Sequence, residues 1–101
     1  MTYQVKVGPK ARRHLSELNA WWIENRPAMA TRVTDEAQRL LMALADLPNT
    51  GALYEKRKGH DVRRLRLQST PYYLYYIVDD EHREVLVVAI WSAMRGDGPP
   101  L

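Results

Sequence analysis

The chain has 101 residues, with 15 Lys and Arg against 12 Asp and Glu, a formal net charge of +3 and no cysteine. That length supports one domain with a modest core and leaves no room for a second one. The missing cysteine excludes disulfides, a thiolate nucleophile and Cys-based metal sites, and suits a reducing cytoplasm.

The first residues, MTYQVKVGPKARRHL, lack the apolar run of a signal peptide, and no stretch is long enough to span a bilayer. The expectation is a cytoplasmic protein with no membrane partner. Tyr3, Val5 and Val7 alternate with Gln4 and Lys6, which reads as a short strand. Gly8-Pro9 punctuates, and Pro9 fits the first position of a helix. Ala11, Leu15, Leu18 and Trp22 then make one helical stripe, with Trp21 off it. Lys10, Arg12 and Arg13 sit in the first turn, where the helix dipole disfavours cations, and read as a solvated basic end. Asn25-Arg26-Pro27 closes this helix, because the residue before proline resists the α region. A second helix is expected from about Ala28 to Asp46, with Ala30, Val33, Ala37, Leu40, Leu41 and Leu44 as its apolar stripe. So short a turn makes the pair an αα-hairpin.

Residues 48–61 show no periodicity and read as a long loop. It holds Lys56, Arg57 and Lys58, and with Arg63, Arg64 and Arg66 these form a basic cluster in which Asp61 is the only acidic residue. Such a cluster suits an acidic partner. Three strands follow: Val62–Leu67, Tyr72–Val78 and Glu84–Trp91. β-branched and aromatic residues fill them, and Ser69-Thr70-Pro71 and residues 79–83 separate them. This is an antiparallel meander. The segment 96–101, Gly-Asp-Gly-Pro-Pro-Leu, suits neither strand nor helix and is expected to be an extended, flexible tail on a single domain spanning 1–101.

Alternation along the meander gives two chemically different faces. Leu65, Leu67, Leu74, Leu86, Val88 and Ile90 are expected on a core face under the helices. Arg64, Arg66, Tyr73, Tyr75 and Trp91 fall on the other, with Arg95 just beyond the last strand. A face both aromatic and basic is not what solvent alone selects, so these six are the candidate partner-binding residues. If helices covered both faces of the sheet, the same aromatics would be core.

Sites for chemistry are sparse. His14, His60 and His82 have no second ligand at metal spacing. No glycine-rich phosphate loop precedes a helix, and Ser16, Ser69 and Ser92 lack a nucleophile-elbow context. Asp79, Asp80, Glu81 and Glu84 cluster at a turn, where carboxylates are ordinary turn formers. Neither a metal nor another cofactor is expected, and no residue is assigned as catalytic.

The element order β-α-α-β-β-β resembles the RelE/ParE superfamily of toxins from type II toxin–antitoxin modules. The resemblance rests on Pro48-Asn49-Thr50-Gly51, Arg64-Leu65-Arg66-Leu67 and Thr70-Pro71-Tyr72-Tyr73-Leu74-Tyr75-Tyr76. It implies an α+β fold whose antiparallel sheet carries an αα-hairpin on one face. Two activities compete within the superfamily. RelE-like members are ribosome-dependent mRNA endonucleases that use basic residues on the open sheet face and a Tyr or His in the C-terminal segment. Arg64, Arg66 and Arg95 fall where those enzymes carry basic residues. Tyr73 stands where they carry an Arg, and no Tyr or His follows Arg95. Arginine stays protonated and is a poor general base.

The Thr-Pro-Tyr-Tyr-Leu-Tyr-Tyr run and the Trp91…Arg95-Gly96…Pro99 ending are more similar to ParE-like toxins. That resemblance implies inhibition of DNA gyrase, growth arrest, plasmid stabilization and neutralisation by a ParD-like antitoxin of ribbon-helix-helix type. DNA is then reached only through the antitoxin, and the chain is an inhibitor rather than an enzyme. The alternatives are a RelE-like ribonuclease and an inactive homologue that serves only as an antitoxin partner.

Overall fold

In the computed structural model, which describes residues 2–101, five strands form one sheet and two helices lie on one of its faces. The chain runs β1 (Gln4–Val7), α1 (Pro9–Asn25), a 3-10 turn over Pro27–Met29, α2 (Arg32–Asp46), β2 (Ala52–Arg57), β3 (His60–Arg66), β4 (Tyr72–Asp79) and β5 (Glu84–Ser92). The sheet order is β1-β5-β4-β3-β2, with β1 parallel to β5 and the remaining pairs antiparallel.

Local chemistry explains the boundaries. Gly8 is extended and its N–H donates to the Val87 carbonyl at 2.9 Å, so β1 hands over to α1 against the sheet edge. Pro9 begins α1 where its missing N–H has no consequence. The second helix starts at Arg32 rather than near Ala28. Pro27 seeds its own 3-10 turn, and the Thr31 hydroxyl then bonds Asp35 at 3.0 Å in the first turn of α2.

The stretch read as a loop contains β2. It forms a hairpin with β3 through Lys58 and Gly59, both at positive φ. Glycine accepts that conformation freely. β2 is an edge strand, and the charges of Glu55, Lys56 and Arg57 that hide its alternation are what edge strands carry against unwanted pairing.

The main core lies between the helices and the sheet. Ala11, Trp22, Val33 and Leu44 meet Leu67, Tyr72, Leu74, Tyr76, Val85, Val87 and Ile90, with Leu15, Leu18, Leu40 and Leu65 at its margin. Trp22 Nε1 donates to the Tyr72 hydroxyl at 3.0 Å inside it. Trp21 points outward and is exposed.

One face assignment is corrected. Tyr75 pairs with Ala89 and Tyr76 with Val87, so Val88 is an extra residue in β5. This bulge reverses the alternation along β5. Val85, Val87 and Ile90 therefore face the helices. Val88, expected in the main core, packs instead with the second cluster on the open face, opposite the helices. Leu86, paired with Ile77, also leaves the core and is exposed. No helix is long and apolar enough to cross a membrane among the described residues.

Candidate partner-binding face

The open face is built from alternate residues of β2 to β5. Val62, Arg64 and Arg66 of β3 stand opposite Ile77, Tyr75 and Tyr73 of β4, and Tyr75 and Tyr73 stand opposite Ala89 and Trp91 of β5. The six candidate residues are thus brought together, but they do different things. Tyr75 is only 3% exposed and forms a small second core with Val62 and Ala89. Tyr73 and Trp91 are half-buried on top of that core, Arg64 is half-buried, and Arg66 and Arg95 are exposed.

Aromatic rings hold the guanidinium groups. Arg64 lies 4.1 Å from the Tyr73 ring centroid and 5.1 Å from that of Tyr54. Arg66 lies 5.7 Å from Tyr73, and Arg95 lies 4.2 Å from Trp91. Tyr54 meets Tyr75 edge-on with centroids 4.9 Å apart, and Tyr75 meets Tyr73 at 6.1 Å. Such cation–π contacts fix the direction of a charge without neutralising it. Among the described residues, neither Arg64 nor Arg66 has a carboxylate at ion-pair distance. The face therefore presents oriented positive charge on an aromatic floor.

Residues 96–101 run across this face. Trp91 Nε1 donates to the Asp97 carbonyl at 3.0 Å, and Arg95 pairs with the Asp97 carboxylate at 3.4 Å. Gly98 lies so close to the Tyr54 hydroxyl that a Cβ there would collide with it. Leu101 packs on the second core and lines one side of an apolar groove of about 330 Å³. The floor of that groove is Val62, Ile77, Leu86 and Val88, and Lys10, Arg57 and Lys58 stand around it.

Two residues that contribute here were not recognised in the sequence. Tyr54 was hidden in the assumed loop, although the Gly51 and Lys58-Gly59 turn signals bracket a strand-length run. His14 comes from α1, and its Nδ1 accepts the Ile90 N–H at 3.3 Å with its ring 5.2 Å from Trp91. Burial, helped by the nearby Arg13 and Lys10 and opposed by Glu17, lowers its pKa and favours the neutral imidazole. The basic run divides as well. Lys56 pairs with Asp61 at 3.6 Å and Arg57 with Glu55 at 3.1 Å, so part of its charge is met within the hairpin. At the β4–β5 turn Asp79 accepts from His82 N–H at 3.1 Å and meets its ring nitrogen at 2.8 Å. The exposed Glu81 carboxylate lies with these two groups, all three within 4.8 Å of one another.

Residues 5–96 match the family model for the ParE toxin of the type II toxin–antitoxin system parDE. The chain belongs to the ParE toxin family. Its fold is similar to that in the chromosomal ParDE system of P. aeruginosa, with a TM-score of 0.72, 20% identity, and coverage of 90% of this chain and 96% of that one. It is also similar to the isolated E. coli RelE toxin, with a TM-score of 0.60, 25% identity, and 94% and 88% coverage. The RelBE2 toxin–antitoxin complex of Mycobacterium tuberculosis contains a third such chain, with a TM-score of 0.58, 24% identity, and 91% and 99% coverage. A comparison with curated proteins returns no match. The chain is therefore a type II toxin of the ParE/RelE superfamily, and its α+β fold is that of both branches.

Proposed function

We infer that this toxin inhibits DNA gyrase and is neutralised by a cognate ParD-like antitoxin of ribbon-helix-helix type. The observation that carries the reading is the ParE family match over residues 5–96. The chemistry of the open face supports it. Its ionisable groups are Arg64, Arg66, Arg95, three tyrosines and, beside Trp91, His14, whose Nδ1 is already taken by the Ile90 N–H, and Asp97 is already paired with Arg95. Cleaving RNA needs a base for the ribose hydroxyl and an acid for the leaving oxygen. Guanidinium groups supply neither. They bind phosphate or carboxylate well, which suits a toxin that traps a protein–DNA intermediate and an antitoxin with acidic residues. The reading makes the protein a binding inhibitor of the cytoplasm, without a cofactor, that meets DNA only through its antitoxin.

The experiment is a gyrase supercoiling and cleavage-complex assay, run beside translating ribosomes whose mRNA ends are mapped. Inhibited supercoiling with intact mRNA is expected. New mRNA ends at the ribosomal A site with gyrase unaffected would replace this reading with the RelE-like ribonuclease. No effect in either assay, together with normal growth on overexpression, would leave an inactive antitoxin partner. Arg95→Ala is expected to weaken toxicity more than Lys56→Ala or Lys58→Ala, because Arg95 lies on the aromatic face and those lysines lie on the hairpin.

A further inference from the structure

Residues 96–101 occupy the same face that the function assigns to a partner. Their contacts are of three kinds. Asp97 gives its carbonyl to the Trp91 indole and its carboxylate to Arg95. Gly98 allows the backbone to lie directly on Tyr54. Leu101 packs its apolar side chain on the second core of Val62, Tyr75 and Ala89 and lines the apolar groove. Together they form a short segment with an acidic group and an apolar anchor, seated on basic and apolar subsites respectively.

The rest of the groove is larger than Leu101 needs. Its apolar floor of Ile77, Leu86 and Val88 continues toward Pro9, and the Lys10 and Lys58 ammonium groups beside it have no ion-pair partner among the described residues. An incoming chain that carries apolar residues flanked by carboxylates satisfies the floor and the rim together. The groove thus fits an acidic amphipathic segment, and Leu101 sits in part of its path.

We propose that residues 96–101 are an internal competitor for the antitoxin, with Asp97 and Leu101 standing in for an acidic and an apolar residue of the antitoxin segment that displaces them. This rests on the reading that the antitoxin docks on the open face. The Arg95–Asp97 pair is weak, since both side chains are exposed and screened by water. A toxin whose face is covered for part of the time binds its antitoxin with an apparent affinity reduced by the uncovered fraction.

The test uses the full chain and the antitoxin co-expressed from the adjoining reading frame. In methyl-labelled free toxin, a nuclear Overhauser contact between Leu101 and Val88 or Val62 is expected, and it should vanish in the complex. By calorimetry, Leu101→Asp and a chain stopped after Arg95 should each bind that antitoxin about three- to tenfold more tightly. Val88→Arg, or Ile77→Arg if the first variant does not fold, should abolish binding. A missing Leu101 contact in free toxin overturns the proposal, as does a contact that persists in the complex. Unchanged or weaker binding by the Leu101 variants, with Val88→Arg still damaging, sinks the competition and leaves the docking face standing. Unchanged binding by a folded Val88→Arg sinks the docking face and the competition with it.

Discussion

The Tyr76 hydroxyl accepts the Gly51 N–H at 2.8 Å, tying the entry of the edge strand β2 to the most central strand of the sheet. The same glycine gives its carbonyl to Arg63 Nη1 at 2.9 Å. Tyr76 is fully buried, and burial pushes its phenol above the ordinary range. Tyr76→Phe leaves a buried N–H without a partner and is expected to cost about 1–3 kcal/mol. Gly51→Ala should cost more, because its Cβ would stand 2.5 Å from the hydroxyl and 2.8 Å from the Arg64 carbonyl. Urea denaturation midpoints of the two variants check this. Equal stability of Gly51→Ala and the parent chain would contradict the packing.

Glu36 is a buried carboxylate whose partners are all in the β3–β4 connection. It accepts the Ser69 N–H at 3.1 Å, the Thr70 N–H at 3.2 Å and the Thr70 hydroxyl at 2.8 Å, and it also accepts the Ser69 hydroxyl. Burial alone would raise its pKa, but these hydrogen bonds outweigh it and hold the carboxyl below its usual 4.5. A depressed folded pKa means that the unfolded chain binds the proton more readily. The contribution is therefore complete above the ordinary carboxylate pKa and is lost as pH falls through the folded one. Glu36→Gln is expected to cost about 1–3 kcal/mol near neutrality. It should also flatten the acid limb of the stability curve. Chemical denaturation of both chains at stepped pH reads out the two effects, and parallel acid limbs would rule out this role.

Much of this fold was legible because it follows period. The meander, β1 and both helices show alternation or a helical stripe, and apart from the start of α2 they lie where those patterns put them. Two features broke the pattern. β2 is an edge strand whose charged residues face water on both sides, so alternation carries no signal there and only the flanking turns mark it. The Val88 bulge cannot be seen from one strand alone, because it is a mismatch in length between β4 and β5. The candidate face was legible as a set of residues but not as roles. Alternation puts Tyr73 and Tyr75 on the same side and cannot tell that Tyr54 and residues 96–101 cover one of them. His14 reaches Trp91 through tertiary packing, for which no local pattern exists.

Leu74 and Val88 make the bulge testable. Leu74 is fully buried between the helices and the sheet, whereas Val88 is half-buried on the open face. Leu74→Ala should cost about 2–5 kcal/mol, the range for a large-to-small change in a closed core. Val88→Ala removes less surface from a site that solvent can refill, and its cost should be clearly smaller. Thermal or urea midpoints give the order directly. A Val88→Ala variant as unstable as Leu74→Ala would restore the uninterrupted alternation that the bulge replaces.

Tyr73 and Tyr75 are neighbours on one face, and truncating each should fail in a different assay. Tyr75 is enclosed by Val62, Ala89 and Tyr54, so Tyr75→Ala opens a cavity in the second core. Its cost should approach the roughly 3–5 kcal/mol of a buried aromatic, and its main symptom should be a lower denaturation midpoint. Tyr73 is half-buried and carries Arg64 on its ring. Tyr73→Ala should leave the midpoint nearly unchanged. If the open face is the antitoxin site, the same change removes an aromatic anchor and frees the guanidinium it orients, with a loss of about 2 kcal/mol or more in binding. Calorimetry with the antitoxin and denaturation of the free toxin, run on both variants, separate the two effects. Full antitoxin affinity in a folded Tyr73→Ala chain would exclude Tyr73 as an anchor and move the interface away from the Arg64 side of the face.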